Sequence, residues 1–111
     1  MAYVVVLSGE YMGQGDNDLG STLIGSFLRN ICLKSELPEK VVCYNAGVKL
    51  LEEGSFVIDA FQALEQKGVE ILACGTCLKF FDIVDKIACG KASNMEEISN
   101  ILIGNYKIVQ P

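Results

Sequence analysis

The chain of 111 residues is long enough for one domain with a single core and too short for two. Half of its residues are apolar and mean hydropathy is +0.34, which suits a sheet buried on both faces or an apolar surface covered by a partner. Fourteen acidic residues against nine basic ones give a net charge of −5, and the scattered Lys and Arg argue against a nucleic-acid partner. The absence of histidine excludes Cys-His nucleophile pairs and Ser-His-Asp triads.

In chain order, Tyr3 to Leu7 is an apolar β-branched run and predicts a strand, followed by a glycine-containing loop from Ser8 to Gly15. Leu19, Leu23, Phe27 and Ile31, flanked by Ile24 and Leu28, recur at helical spacing to about Ser35. Asp16 and Asp18 stand where a helix start favours acids, and Pro38 closes the unit. Lys40 to Ala46 predicts a second buried strand and Gly47 to Glu53 a loop. Ser55 to Lys67 carries Val57, Ile58, Phe61 and Leu64 on one helical face and stops at Gly68.

Val69 to Ala73 predicts the third strand, ending at Cys74, and a short helix follows from about Cys77 to Phe81. A weaker strand is predicted near Lys86 to Gly90. Ser93 and Glu96 have capping-box spacing, with Met95, Ile98, Ile101 and Leu102 continuing as an apolar stripe, and Tyr106 to Val109 predicts the last strand. Strands alternating with amphipathic helices imply a parallel sheet with helices on both faces, in a single domain over residues 1–111.

Ligands of such sheets bind beyond the carboxyl ends of the strands, where four loops converge: 8–15, 45–50, 74–77 and 92–94. The third holds Cys74-Gly75-Thr76-Cys77, two thiols at Cys-x-x-Cys spacing where a strand gives way to a helix. Unpaired N–H groups at a helix start depress a thiol pKa, which makes Cys74 the expected reactive thiol and Cys77 its resolving partner. Half of a zinc site, or two small core residues, is the other reading of the pair. Cys32, Cys43 and Cys89 read as packing residues. Five cysteines, an odd number, suggest free, metal-bound or redox thiols rather than a disulfide framework.

Lys49 and Lys79 lie near the proposed site, where a cation would lower a thiol pKa. Gly13-Gln14-Gly15 precedes a helix but fails the dinucleotide spacing, because Asp18 stands where the third glycine belongs. It is read as part of the pocket rim. No apolar run approaches the ~20 residues needed to span a membrane, and no basic region leads into a cleavable apolar segment, so a cytoplasmic location is expected.

Cys74-Gly75-Thr76-Cys77-Leu78, with Gly68-Val69-Glu70-Ile71 before it, resembles the DsrE-like superfamily of sulfur-relay proteins. The resemblance is nearest to the C-terminal domain of the YedF family, which is linked to selenium metabolism. It extends through Met12-Gly13-Gln14-Gly15, Leu19-Gly20, Asn45-Ala46-Gly47-Val48-Lys49-Leu50, Glu53-Gly54-Ser55, Gly90 and Asn94-Met95. It implies a three-layer α/β/α sandwich with a parallel sheet of about five strands, assembled as a homo-oligomer.

By the match the persulfide falls on Cys74; Cys77 lacks a counterpart in the relay subunits but occurs in the YedF-like pattern. Gly13, Gln14, Asn45, Lys49, Gly75, Thr76 and Asn94 are the expected substrate-binding residues. Many YedF-like proteins also carry a TusA-like domain with a Cys-Pro motif, absent from these residues, whose only prolines are Pro38 and Pro111.

The leading expectation is a sulfurtransferase-like carrier of sulfane sulfur, or of selenium, without cofactor or metal. Its partners are sulfur donor and acceptor proteins, a TusA-like one among them, and no membrane. Persulfide exchange needs an ionised thiol and no histidine. Two alternatives stand beside it: a thiol–disulfide oxidoreductase using Cys74 and Cys77, and a non-catalytic oligomer holding a four-cysteine zinc site between subunits. A thioredoxin-type site would set a cis-proline loop against the thiols, and neither Pro38 nor Pro111 is well placed for that. Phe80, Phe81 and Ile83 are the expected oligomer contact.

Overall fold

Short apolar strands separated by amphipathic helices leave one arrangement that buries every apolar stripe, a central sheet with helices against both faces. The computed structural model describes residues 2–111 and has that arrangement. In chain order the elements are β1 (Tyr3–Leu7), α1 (Asn17–Ile31), β2 (Lys40–Cys43), a 3₁₀ segment (Asn45–Leu51), α2 (Ile58–Gln66), β3 (Glu70–Cys74), α3 (Gly75–Phe80), β4 (Lys91–Ser93), α4 (Met95–Leu102) and β5 (Lys107–Val109). The sheet order is β4-β3-β2-β1-β5, and every pairing is parallel.

Alternation along each strand divides the core in two. Val5, Leu7, Val41, Cys43, Ile71 and Ala73 point to the side covered by Ile24 and Leu28 of α1 and Phe61 and Leu64 of α2. Val4, Val6, Val42, Leu72 and Cys74 point to the other side, covered by Ile98 and Ile101 of α4. The three-layer α/β/α expectation therefore holds. Among the described residues no helix is long and apolar enough to cross a membrane.

Several boundaries differ from the sequence reading: β3 is Glu70–Cys74 rather than 69–73, α3 begins at Gly75 rather than about Cys77, and four others have a plain local reason. Helix α1 starts as expected, with the Asp16 carboxylate accepting from the Leu19 N–H at 2.8 Å, but ends at Ile31. Leu33 and Lys34 then bond three residues back, to the Asn30 and Ile31 carbonyls, as the chain turns toward β2. Strand β2 stops at Cys43, because Asn45 takes a left-handed φ of +51° and the expected loop coils into the 3₁₀ segment.

The fourth strand is Lys91–Ser93 rather than 86–90. The earlier stretch bonds the end of the 3₁₀ segment instead, through Glu53 N–H to the Lys86 carbonyl and Ala88 N–H to the Leu51 carbonyl. Gly90, at φ +81° and close against Ile71, then swings the chain into register with β3. Helix α4 is capped one residue later than the Ser93–Glu96 spacing suggests: Asn94 accepts from the Glu97 N–H at 2.9 Å, while the Glu97 carboxylate bonds the Ser93 hydroxyl.

Candidate functional site

Strand β3 runs straight into α3, so Cys74 is at once the last strand residue and the cap of the helix, with Cys77 in the first turn. Cys74 follows Leu72 onto the α4 side of the sheet and is 3 % exposed, within the cluster of Val4, Val6, Val42, Ile98 and Ile101. Cys77 is half-buried and packs against both cores, while Leu78 beside it anchors α3 and is fully buried. Cys74, expected as the reactive thiol of a strand-end loop, is instead the buried last residue of β3. Of the two, Cys77 is the residue that is partly exposed and lines the cavity.

The opposite wall is the start of the 3₁₀ segment. Asparagine tolerates the left-handed conformation because its side chain can bond locally, and here Asn45 Oδ1 accepts from the Ala46 N–H at 2.9 Å. That bend directs the Asn45 N–H to Cys77 Sγ at 3.0 Å. The segment lies close to the sheet because residue 47 has no side chain: a Cβ there would stand 2.1 Å from the Leu7 carbonyl oxygen.

Asn45, Thr76, Cys77, Phe80 and Phe81 line a cavity of about 320 Å³. The two phenylalanine rings meet edge to face with centroids 5.1 Å apart, and Lys49 Nζ sits 4.3 Å from the Phe81 centroid in a cation–π contact. Burial pushes the Cys77 thiol above its ordinary pKa, the Asn45 N–H pulls it back down, and the adjoining Cys74 thiol pushes it up. Burial also raises Cys43, with Cys89 adding to it, and pushes Cys89 up to about 12, with the Glu65 carboxylate adding to the rise. Cys32 is raised by burial and its Sγ contacts the Ala60 carbonyl at 3.5 Å.

The expected binding residues separate into groups. Asn45, Thr76 and Cys77 meet around the cavity, and Lys49 reaches its rim through Phe81. Gly75 begins α3 where the Ser93 carbonyl oxygen would lie 2.9 Å from any Cβ, so its part is to let β4 approach. Gly13 and Gln14 are exposed in the loop after β1 and do not line the cavity. Asn94 is occupied as the α4 cap and borders a separate hollow with Glu96, Glu97 and Asn100.

Lys79 is exposed on α3. Phe80 and Phe81, expected at an oligomer contact, are cavity walls, and Ile83 is only 5 % exposed, inside the chain's own core. Among the described residues no group of three or more His, Cys, Asp or Glu is placed to hold a metal, so a zinc site would need a second copy's cysteines.

A protein-family model described as the DsrE/DsrF-like family matches residues 1–111. Among solved structures, a protein of unknown function from Methanobacterium thermoautotrophicum, MTH1491, is similar at TM-score 0.68 and 23 % identity, over 98 % of this chain and 99 % of that one. The ychN protein of E. coli is similar at TM-score 0.68 and 12 % identity over 100 % of both chains. A conserved protein of unknown function from Bacteroides thetaiotaomicron, BT1422, gives 0.66 and 18 % over 98 % of this chain and 94 % of that one. No curated protein matches the chain. At these identities the structures speak for the fold, while the family model spans the whole sequence: the chain belongs to the DsrE/DsrF-like family.

Proposed function

We propose that this DsrE/DsrF-like chain carries sulfane sulfur, or selenium in its place, as a persulfide within the Cys74/Cys77 pair, between a donor protein and an acceptor thiol. The observation that supports the reading is a pair of unbonded thiols at the carboxyl edge of the sheet, one of them on a cavity walled by a backbone N–H and two aromatic rings. In the transfer, a thiolate of the pair attacks the terminal sulfur of the donor's persulfide, the donor S–S bond breaks, and the donor leaves as its thiolate. The acceptor repeats the exchange in reverse. No acid–base residue is required, which suits a chain without histidine.

Family membership supports sulfur relay as the use of these thiols, and Cys77 supports the narrower likeness to the YedF type, with its link to selenium metabolism. The reading takes the donor and acceptor to be proteins, a TusA-like carrier among them, and the chain to act as a cytoplasmic homo-oligomer. A persulfide passed directly between proteins also suits the cavity, which is at the small end for a drug-sized ligand.

Intact-mass measurement of the folded chain after incubation with a low-molecular-weight persulfide tests the proposal. One added sulfur on the freshly loaded chain, removed by reductant and released to cyanide as thiocyanate, is the expected result; a chain that at no time point gains a sulfur or releases sulfide refutes it.

The one-turn separation of Cys74 and Cys77 also favours a thiol–disulfide oxidoreductase. Against that reading, Pro38 lies at the other end of the sheet, and Pro111 follows β5, which is separated from β3 by β2 and β1. A redox titration in which the Cys74/Cys77 dithiol reduces a substrate disulfide, and is itself left as the Cys74–Cys77 disulfide, without sulfane sulfur would prefer it.

A further inference from the structure

We infer that Cys77 is the thiol that receives and holds the sulfur, and that buried Cys74 resolves it, expelling hydrosulfide when no acceptor arrives. The inference rests on the sulfur-carrier reading and divides its chemistry between the two cysteines. A persulfide exchange needs the attacking, central and leaving sulfurs close to one line, so the attacking thiol must face a partner. Cys74 cannot do so: it is 3 % exposed, under α4 and among valines and isoleucines of the sheet's second core. Cys77 borders the cavity.

A sulfur added to Cys77 has room in that cavity, where Asn45 supplies an N–H already directed at Sγ from 3.0 Å and Thr76 is part of the lining. Phe80 and Phe81 make the rest of the wall apolar, which limits water around the S–S bond. Phe80 is 81 % exposed, so the mouth of the cavity presents an apolar ring to whatever delivers the sulfur.

Cys74 lies on the inner side of the same thiol. It caps α3, Cys77 is one turn on, and Cys77 packs against the cluster that contains Cys74. Loading forms Cys77–S–SH and breaks the donor S–S bond; the donor leaves as a thiolate, and the proton of Cys77 goes to water, so no net oxidation occurs. If no acceptor takes the sulfur, Cys74 gives up its proton to water and its sulfur attacks Cys77 Sγ. The bond from Sγ to the terminal sulfur breaks, HS⁻ leaves, and a Cys74–Cys77 disulfide forms. The sulfane sulfur is reduced to sulfide and the two thiols are oxidised by the same two electrons. A dithiol reductant then restores the pair by exchange.

The test loads the whole chain with glutathione persulfide and follows intact mass and released sulfide for the wild type, Cys74→Ser, Cys74→Ala and Cys77→Ser. The wild type should load, then release sulfide mole for mole with a reductant-sensitive disulfide. The Cys74 variants should load and keep the sulfur, and Cys77→Ser should fail to load.

Fragment-ion mapping of alkylated, freshly loaded wild type needs no variant and should find the extra sulfur on Cys77. Sulfur mapped to Cys74, or loading of Cys77→Ser but not of the Cys74 variants, overturns the assignment while leaving the carrier reading intact. Sulfide release from loaded, folded Cys74→Ser as fast as from wild type overturns the resolving role. If the wild type never loads, the carrier reading itself has failed.

Discussion

Replacing Gly47 by alanine would set a Cβ 2.1 Å from the Leu7 carbonyl oxygen, 2.8 Å from the Leu7 carbonyl carbon and 3.3 Å from the Gly9 nitrogen. Real Cβ contacts essentially never fall below 3.0 Å, and all three neighbours here are backbone, so no side-chain tip can yield. Either the 3₁₀ segment or the end of β1 must move. The segment is held by buried Val48, Leu50 and Leu51, and β1 by buried Leu7, whose carbonyl also accepts from the Tyr44 N–H at 3.1 Å.

Overpacking of this kind costs ~1–3 kcal/mol, and a weakened backbone hydrogen bond adds about 1 kcal/mol. A loss of about 3 kcal/mol would lower Tm by roughly 12 °C in a domain of this size. Because the same segment carries Asn45, its displacement also removes the N–H that pulls the Cys77 thiol down, so Cys77 should need a higher pH to react. Thermal melting and the pH dependence of iodoacetamide alkylation measure the two effects. Gly9→Ala is the control, since nothing lies within 4 Å of its added Cβ and its cost should stay within about 0.5 kcal/mol. A Gly47→Ala protein that melts like Gly9→Ala and alkylates like wild type would refute the close approach of the 3₁₀ segment to β1.

Four further outcomes are expected. In a timed alkylation of the folded chain Cys77 should react ahead of Cys32, Cys43, Cys74 and Cys89; equal rates at Cys77 and Cys43 would contradict the burial pattern. Cys89, raised from 9.0 to about 12, keeps its proton in the folded state where the unfolded chain loses it, so stability is complete below pH 9 and falls as pH rises toward 12. The slope is about 1.4 kcal/mol per pH unit for each such thiol, and equal denaturant midpoints near pH 8 and 10 would show it absent. Glu70 bonds Lys40 at 2.6 Å and Lys91 at 2.9 Å, which lowers its carboxyl below 4.5. Glu70→Gln should therefore lose up to ~1 kcal/mol near neutrality, a difference that fades as acid protonates the wild-type carboxylate. Sedimentation at micromolar concentration should find an assembly that Phe80→Asp dissolves; a 12.0 kDa wild-type monomer rejects it, and an assembly unchanged by the substitution moves the contact away from Phe80.

How far the fold could be read from the chain depended on whether apolar pattern or pairing sets each element. β1, β3, α1 and α2 announce themselves because both faces, or one full stripe, enter a core. β4 does not, since Lys91 and Ala92 are exposed on an edge strand and Ser93 is only partly buried, so the three residues carry no hydrophobic signal. The apolar residues just before them, Ile87 and Cys89, imitate a strand but serve the 3₁₀ segment and the first core instead. The shifted cap of α4 has the same character: Ser93 and Asn94 are both good caps, and only the registration of β4 against β3 decides between them.

At the site, the Cys-x-x-Cys pair was visible but the division between its thiols was not, and the reason is a change of period at Cys74. Along β3 the side chains alternate, and in a parallel sheet covered on both faces either direction ends in a core. A cysteine on the last strand residue is therefore buried whichever way it points. Reading Cys74 as a loop residue moved it outside that rule; ending β3 one residue later puts it back inside, under Ile98 and Ile101. From Gly75 the helical period takes over, and Leu78, as the buried anchor of α3, leaves Cys77 and Thr76 on the side that faces Asn45. Burial of Leu78 fixes the rotation of this six-residue helix, and with it which thiol meets the cavity, but Phe80 is equally apolar in the sequence and only the structure shows which of the two is the anchor. The partner on the facing wall had no sequence signal either, since its contribution is a backbone N–H aimed by the left-handed turn at Asn45.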